Sequence, residues 1–167
     1  VSRAVSWGLP LVTLAVYLWL VLGYGLALQR LAGGQQVFDL RIAGYDLADA
    51  RAYLAALPPE GAAMYLGPIA RLDTAFPILM GLTLLWWMRP LGMPFGLVCA
   101  LAAGAYVTLD LLENQVVAVL FAQGPTGIST EGVRAASLLT QGKFMAFGLA
   151  VALAVRASWL RRRGRAG

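Results

Sequence analysis

Histidine is absent from the 167 residues, and cysteine occurs once, at position 99. Without histidine and with only Cys99, the usual ligand sets for haem, zinc, copper and iron–sulfur centres are missing, so neither a metal nor a cofactor is expected. A single cysteine also rules out an intrachain disulfide. Histidine-based nucleophile dyads are excluded too, and neither a Gly-x-Ser-x-Gly elbow nor a phosphate-cradling glycine loop occurs. Charge is scarce: charged residues make up 13% of the chain and hydrophobic residues 60%, with a mean hydropathy of +0.73. A soluble core of this size cannot hide so much apolar surface, which places the chain among integral membrane proteins.

Apolar segments run from about Leu9 to Leu28, Ile69 to Met88, Leu91 to Ala122 and Val133 to Arg156. Each supplies the roughly 20 residues that cross a hydrocarbon layer of about 30 Å. The runs are continuous, whereas the strands of a membrane barrel alternate over about ten residues. The expected fold is therefore all-α: one polytopic domain of four transmembrane helices, with spans near 9–28, 69–88, 92–121 and 133–156. An outer loop at 29–68 and a basic tail at 157–167 complete it. Arg3 followed by an apolar stretch and Gly25 and Ala27 gives the start a signal-peptide look. The stretch is about 20 residues against 7–15 for a signal core, so it reads as a retained helix.

The cations set the orientation. Arg156, Arg161, Arg162, Arg163 and Arg165 form the densest basic group, which the positive-inside rule assigns to the cytoplasm. Four crossings then place the N-terminus with Arg3, and the Arg89 turn, on the same side, while Gln29–Ala70 and Gln123–Gly132 face outward. Trp7, Trp86, Trp87 and Trp159 fall near the same ends, where an indole sits between acyl chains and headgroups. The net charge of +5 is juxtamembrane, so it reads as a topology signal attracted to anionic lipid and not as a nucleic-acid footprint. The lipid bilayer is the expected partner, with a membrane-protein partner or a second copy as further possibilities.

Within the outer loop, GYDLADARAYLAALPPEG carries a helix pattern. Asp46 caps it, Leu47, Ala50, Tyr53, Leu54 and Leu57 recur at spacings of three and four, and Pro58 with Pro59 ends it. This short amphipathic helix is expected on the outer interface or across the top of the bundle, as a packed lid or as a functional one.

Two polar stripes interrupt the last two apolar runs. In TLDLLENQ, Asp110, Glu113 and Asn114 stand at i, i+3 and i+4 on one helix face, and Ser137, Thr140, Lys143 and Phe147 make a second stripe on the next span, with Gln141 beside it. Counting about 1.5 Å per residue from the outer boundaries puts Asp110 roughly 12 Å deep and Lys143 roughly 10 Å deep, so antiparallel neighbours bring them level. Asp73, about 5 Å deep by the same count, is placed to cap the cluster. A lone charge at mid-helix costs about 2.5–3.5 kcal/mol on insertion scales, so the acids and the amine are expected to face one another. Three carboxylates against one ammonium leave an excess of negative charge. Either Arg71 or Arg134 reaches in from the rim or a carboxyl keeps its proton, and a shared proton is the favoured reading. Lys143 is the only lysine; the other twelve cations are arginine. A buried lysine can lose its proton and arginine cannot, although lysine also simply fits a gap between helices.

Taken together, GYDLADARAYLAAL, LDTAFP, TLDLLENQVVAVL and ASLLTQGKFM resemble a family of small, uncharacterised bacterial inner-membrane proteins, over most of the chain from Phe38 to about Phe147. Leu111 and Phe144 stand where those relatives often carry an aromatic residue and a tryptophan. The resemblance implies an inner-membrane location and points to Asp73, Asp110, Glu113, Asn114, Thr140 and Lys143 as the site, without an activity to transfer. Three functions fit the residues. The first is a non-catalytic scaffold or a subunit binding a partner or lipid, its polar network fixing helix register. The second is a small proton-coupled carrier or solute-binding protein, in which Gly142 and Gly148 permit close helix contact. The third is an enzyme acting on outer-leaflet lipid, a carboxylate serving as base and Lys143 as electrostatic stabiliser; Ser137, six residues from Lys143 on one helix, is poorly aimed for a Ser–Lys dyad.

Overall fold

A computed structural model describes residues 3–89 and 92–163; Leu91, at the start of the third apolar run, and Arg165, in the basic tail, lie outside the described residues. Apolar chain with no water to satisfy its backbone must satisfy it internally, and here it does so as helix. Four helices are long and apolar enough to cross a membrane: Trp7–Leu31, Pro59–Met88, Phe95–Gly127 and Thr130–Arg163. No strand occurs among the described residues. The protein is an all-α four-helix membrane bundle.

The spans are longer than the apolar runs that announce them. The second starts at Pro59 and not near Ile69, because the proline that helps to stop the loop helix is also the N1 residue of the next one, a position that needs no N–H. The third keeps helical geometry past Ala122 up to Gly124, whose φ of 67° and ψ of 177° break the helix, and a short helical piece follows as far as Gly127. The expected loop at Gln123–Gly132 thus opens at this break, holds the short helical piece, and closes where the fourth span begins at Thr130. The fourth runs on through Arg163, and the Arg161 guanidinium donates to the Arg89 carbonyl, tying the basic tail to the end of the second span.

The loop helix forms over Leu47–Ala56. Asp46 caps it through the Asp49 N–H at 2.9 Å, and the Asp49 carboxylate returns the contact to the Asp46 N–H at 3.1 Å. Its apolar face, Ala50, Tyr53 and Leu54, is buried against the third and fourth spans, so the helix lies across the bundle. Ahead of it, a 3₁₀ turn at Phe38–Leu40 inserts Phe38, 1% exposed, among aromatic rings. Phe38 meets Tyr45 and Tyr53 with ring centroids 4.8 Å apart and Phe121 at 5.8 Å, and Tyr65 stacks on Phe121 at 3.9 Å. The loop is held to the fourth span by two further bonds, Tyr45 N–H to Ser137 Oγ at 3.0 Å and Gln141 Nε2 to the Ala43 carbonyl at 3.2 Å. Ser137 and Gln141, part of the second polar stripe, therefore hold the loop backbone and do not join the acids.

Gly44 lies between those two bonds at φ +88°, and a Cβ there would collide with the Gln141 amide and come within 3.0 Å of Ser137 Oγ. Gly44→Ala is therefore expected to destabilise the protein by at least about 1–2 kcal/mol, the usual cost of left-handed backbone for a residue with a side chain. A thermal midpoint in mild detergent, together with faster proteolysis within 32–58, checks this.

Two apolar clusters form the interior. The larger, at the loop end, joins Leu28, Phe38, Tyr53, Tyr65, Val117 and Phe121; the smaller, at the tail end, joins Leu84, Met88, Cys99, Ala102, Ala154 and Ala157. The alanines of the second cluster let the second, third and fourth spans approach closely. The first span packs chiefly on the second, where the Thr13 and Thr83 hydroxyls meet at 2.8 Å. Gly142 faces Leu109 of the third span, whereas Gly148 faces open space.

Candidate functional site

Between the two apolar clusters the polar stripes of the third and fourth spans meet. Helical spacing brings Asp110 and Glu113 to one face, and Thr140 and Lys143 oppose them. Lys143 Nζ lies 3.0 Å from Asp110 Oδ1 and also contacts Glu113 Oε2. Each carboxylate has a second partner: the Tyr106 hydroxyl donates to Asp110 Oδ2 at 2.9 Å, and the Thr140 hydroxyl donates to Glu113 Oε1. Glu113 and Thr140 are fully buried, Asp110 is 5% exposed and Lys143 8%. A buried charge in hydrocarbon needs a partner and further hydrogen bonds, and this half of the cluster has both.

The remaining acids do not. Asn114 Nδ2 donates to the backbone carbonyl of Asp73 at 2.7 Å, which leaves the Asp73 carboxyl free of it. Asp73 Oδ2 is buried without a hydrogen-bond partner. So is Oδ1 of Asp39, a residue that the 3₁₀ turn lowers toward the bundle interior beside Phe38. Burial pushes the Asp39 carboxyl above the ordinary carboxylate range; the Lys143 charge draws it down and the Asp110 charge raises it again. Arg71 and Arg134 are exposed, and among the described residues neither forms an ion pair. Four carboxyl groups therefore gather around one ammonium, and the ammonium is engaged by two of them.

Asp39, Asp73, Asp110, Asn114 and Lys143 all line one cavity of about 460 Å³. Its other walls are apolar and aromatic, with Tyr17, Val21 and Tyr24 from the first span, Tyr65, Phe76 and Met80 from the second, Tyr106 from the third, and Phe144 and Phe147 from the fourth. Leu14 and Tyr17, also in the wall, are 50% and 41% exposed, so the cavity reaches the apolar flank of the bundle. The Tyr65 hydroxyl, like those of Tyr45 and Tyr53, is buried without a partner, on a side chain only 2% exposed. The first and second spans both relax from α to π geometry beside the cavity, at Trp19–Gly25 and Tyr65–Ile69, where Pro68 supplies no N–H to an α ladder. Among the described residues no group of three histidine, cysteine or carboxylate side chains converges closely enough to hold a metal ion.

All six residues expected at the site are thus drawn into one neighbourhood, in different roles: Asp110, Glu113, Thr140 and Lys143 bond to each other, Asn114 positions the second span, and the Asp73 carboxyl stands open. Asp39 and Tyr65 are the additions. An acid isolated between Phe38 and Leu40 was the available signal for the first; for Tyr65 the apolar run into which it merges gives none. Among family models, curated proteins and solved structures, none matches the chain.

Proposed function

We propose that the protein is a non-catalytic binding protein of a bacterial inner membrane, which takes into its cavity a small or lipid-like molecule with an apolar body and a polar head. Both termini then lie in the cytoplasm and the cavity's polar end in the outer half of the bilayer. The observation that carries this reading is the open space itself: a structural polar network would fill the region around Lys143 with side chains, whereas about 460 Å³ stands beside it. That volume falls within the roughly 300–1,000 Å³ of ordinary ligand sites, and apolar walls with a few converging polar groups have the usual composition of such sites. The scaffold role is carried by part of the same cluster, since the Lys143, Asp110 and Glu113 contacts fix the register of the third and fourth spans. The resemblance to small inner-membrane proteins agrees with the location.

Val21 lines the cavity from the first span and makes no polar contact, so Val21→Trp fills the space without touching the cluster. Native mass spectrometry of the full chain released from membranes is expected to show a retained small amphiphile on the wild type and none on a folded Val21→Trp protein. Identical spectra from the two proteins would contradict the binding reading.

A further inference from the structure

The polar end of the cavity has a sign. Among the described residues Lys143 is the only cation lining it, and its ammonium is engaged by Asp110 and Glu113, both of which have other donors as well. Asp39 from the loop and Asp73 from the second span line the space, and each carries one carboxyl oxygen, Oδ1 and Oδ2 respectively, that is buried without a donor. Buried carboxylate oxygens without donors are costly, and a head that brings both positive charge and N–H groups relieves that cost. An anionic head would meet two unpaired carboxylates. A divalent metal ion would need ligands converging on one point, which among the described residues do not occur. The rest of the lining suits a cation with an apolar body, because the faces of Tyr17, Tyr24, Phe76, Tyr106 and Phe147 offer aromatic surface near the acids.

We propose that this end of the cavity is an ammonium site, in which the carboxyl groups of Asp39 and Asp73 receive the protonated amine of an amphiphile whose apolar body lies along the aromatic wall. The proposal rests on the binding reading above and goes beyond it by fixing the charge and chemistry of the head. Lys143, held on the far side by its own two carboxylates, keeps the head from sinking past Asp110 into the third and fourth spans.

The test uses the full chain in a neutral maltoside detergent at neutral pH, with n-hexylamine as the probe and hexan-1-ol and hexanoate as matched controls. Affinities are read by calorimetry and by the thermal shift of tryptophan fluorescence. Hexylamine is expected to bind at least about tenfold more tightly than either control, the least that a charge-assisted hydrogen bond provides. In the double variant Asp39→Asn with Asp73→Asn, that preference should collapse to near unity while hexan-1-ol binding persists, which shows that the cavity is intact. Equal affinity for hexylamine and hexan-1-ol in the wild type would overturn the ammonium site and leave the binding reading standing. A preference that survives the double variant would overturn it as well. Failure of all three probes to bind a folded wild type would defeat both. Nanodiscs separate the two sources of such a head: weaker hexylamine binding in phosphatidylethanolamine than in phosphatidylglycerol assigns the amine to a lipid headgroup, and equal binding assigns it to a free amine. Either result on top of the amine preference supports the site.

Discussion

Lys143→Met is expected to cost the folded protein about 3–5 kcal/mol, the usual penalty when one member of a buried ion pair is removed and its partners are left charged or unbonded. Lys143 Nζ is held by Asp110 and Glu113, and both carboxylates are almost wholly buried, so its removal leaves their charge without its counter-ion. The loss should appear as a lower yield of monodisperse protein and a lower thermal midpoint in detergent. If the penalty comes from orphaned acids and not from lost volume, neutralising them restores it. Lys143→Met combined with Asp110→Asn and Glu113→Gln should regain most of the midpoint, because an uncharged cluster of similar shape has little to desolvate. Exchanging the pair, Asp110→Lys with Lys143→Asp, should recover part of it. A single Lys143→Met variant as stable as the wild type would remove the structural role assigned to the paired half.

Asp39→Asn should act in the opposite direction and raise the thermal midpoint of the ligand-free protein. Its side chain has almost the same size, but the amide carries no charge, so the cost of holding a carboxylate in this buried place disappears while the oxygen acceptor stays. The gain is expected to be about 1–3 kcal/mol at neutral pH, from replacing a buried, poorly compensated charge by a neutral group. It should also depend on pH. Burial raises the Asp39 carboxyl above its ordinary range in the folded protein, so its contribution to wild-type stability is fully present below the unfolded value and is lost as pH rises through the folded one. The advantage of Asn therefore grows with rising pH and vanishes in acid. The groups around Asp39 set the size of this effect: Asp73 and Tyr65 from the second span, Asp110 and Glu113 from the third, Lys143 from the fourth, and Tyr45 and Tyr53 within the loop. Thermal midpoints of the two proteins across a pH series check both sign and trend; a variant less stable than the wild type at every pH would contradict it. A substitution that stabilises the empty protein while removing amine preference is the mark of a residue kept for binding.

These opposite signs explain what the chain revealed in advance and what it hid. Spans were legible because apolar length is a one-dimensional property, and the meeting of Asp110, Glu113 and Lys143 followed from helical spacing and antiparallel depth alone. The apolar run falls short of the span where a proline does two jobs, as at Pro59, and agrees with it where a glycine breaks the helix, as at Gly124. Asp39 stayed hidden because a residue in an irregular loop has no periodicity, and its depth is decided by Phe38 docking among Tyr45, Tyr53 and Phe121, a tertiary event. The cavity was equally out of reach. It exists because the first span packs chiefly on the second, leaving Tyr17 and Tyr24 to face Phe144 and Phe147 across a gap that spacing along one helix cannot report.

The division of the acids into a paired half and an open half is tested most directly by an experimental density map of the full chain in lipid nanodiscs. The account predicts Lys143 bound between Asp110 and Glu113, with non-protein density lying against Asp39, Asp73 and Tyr65 in the space beside them. A map in which the Asp39 side chain turns out to solvent and neighbouring side chains close the space around Lys143 would contradict it.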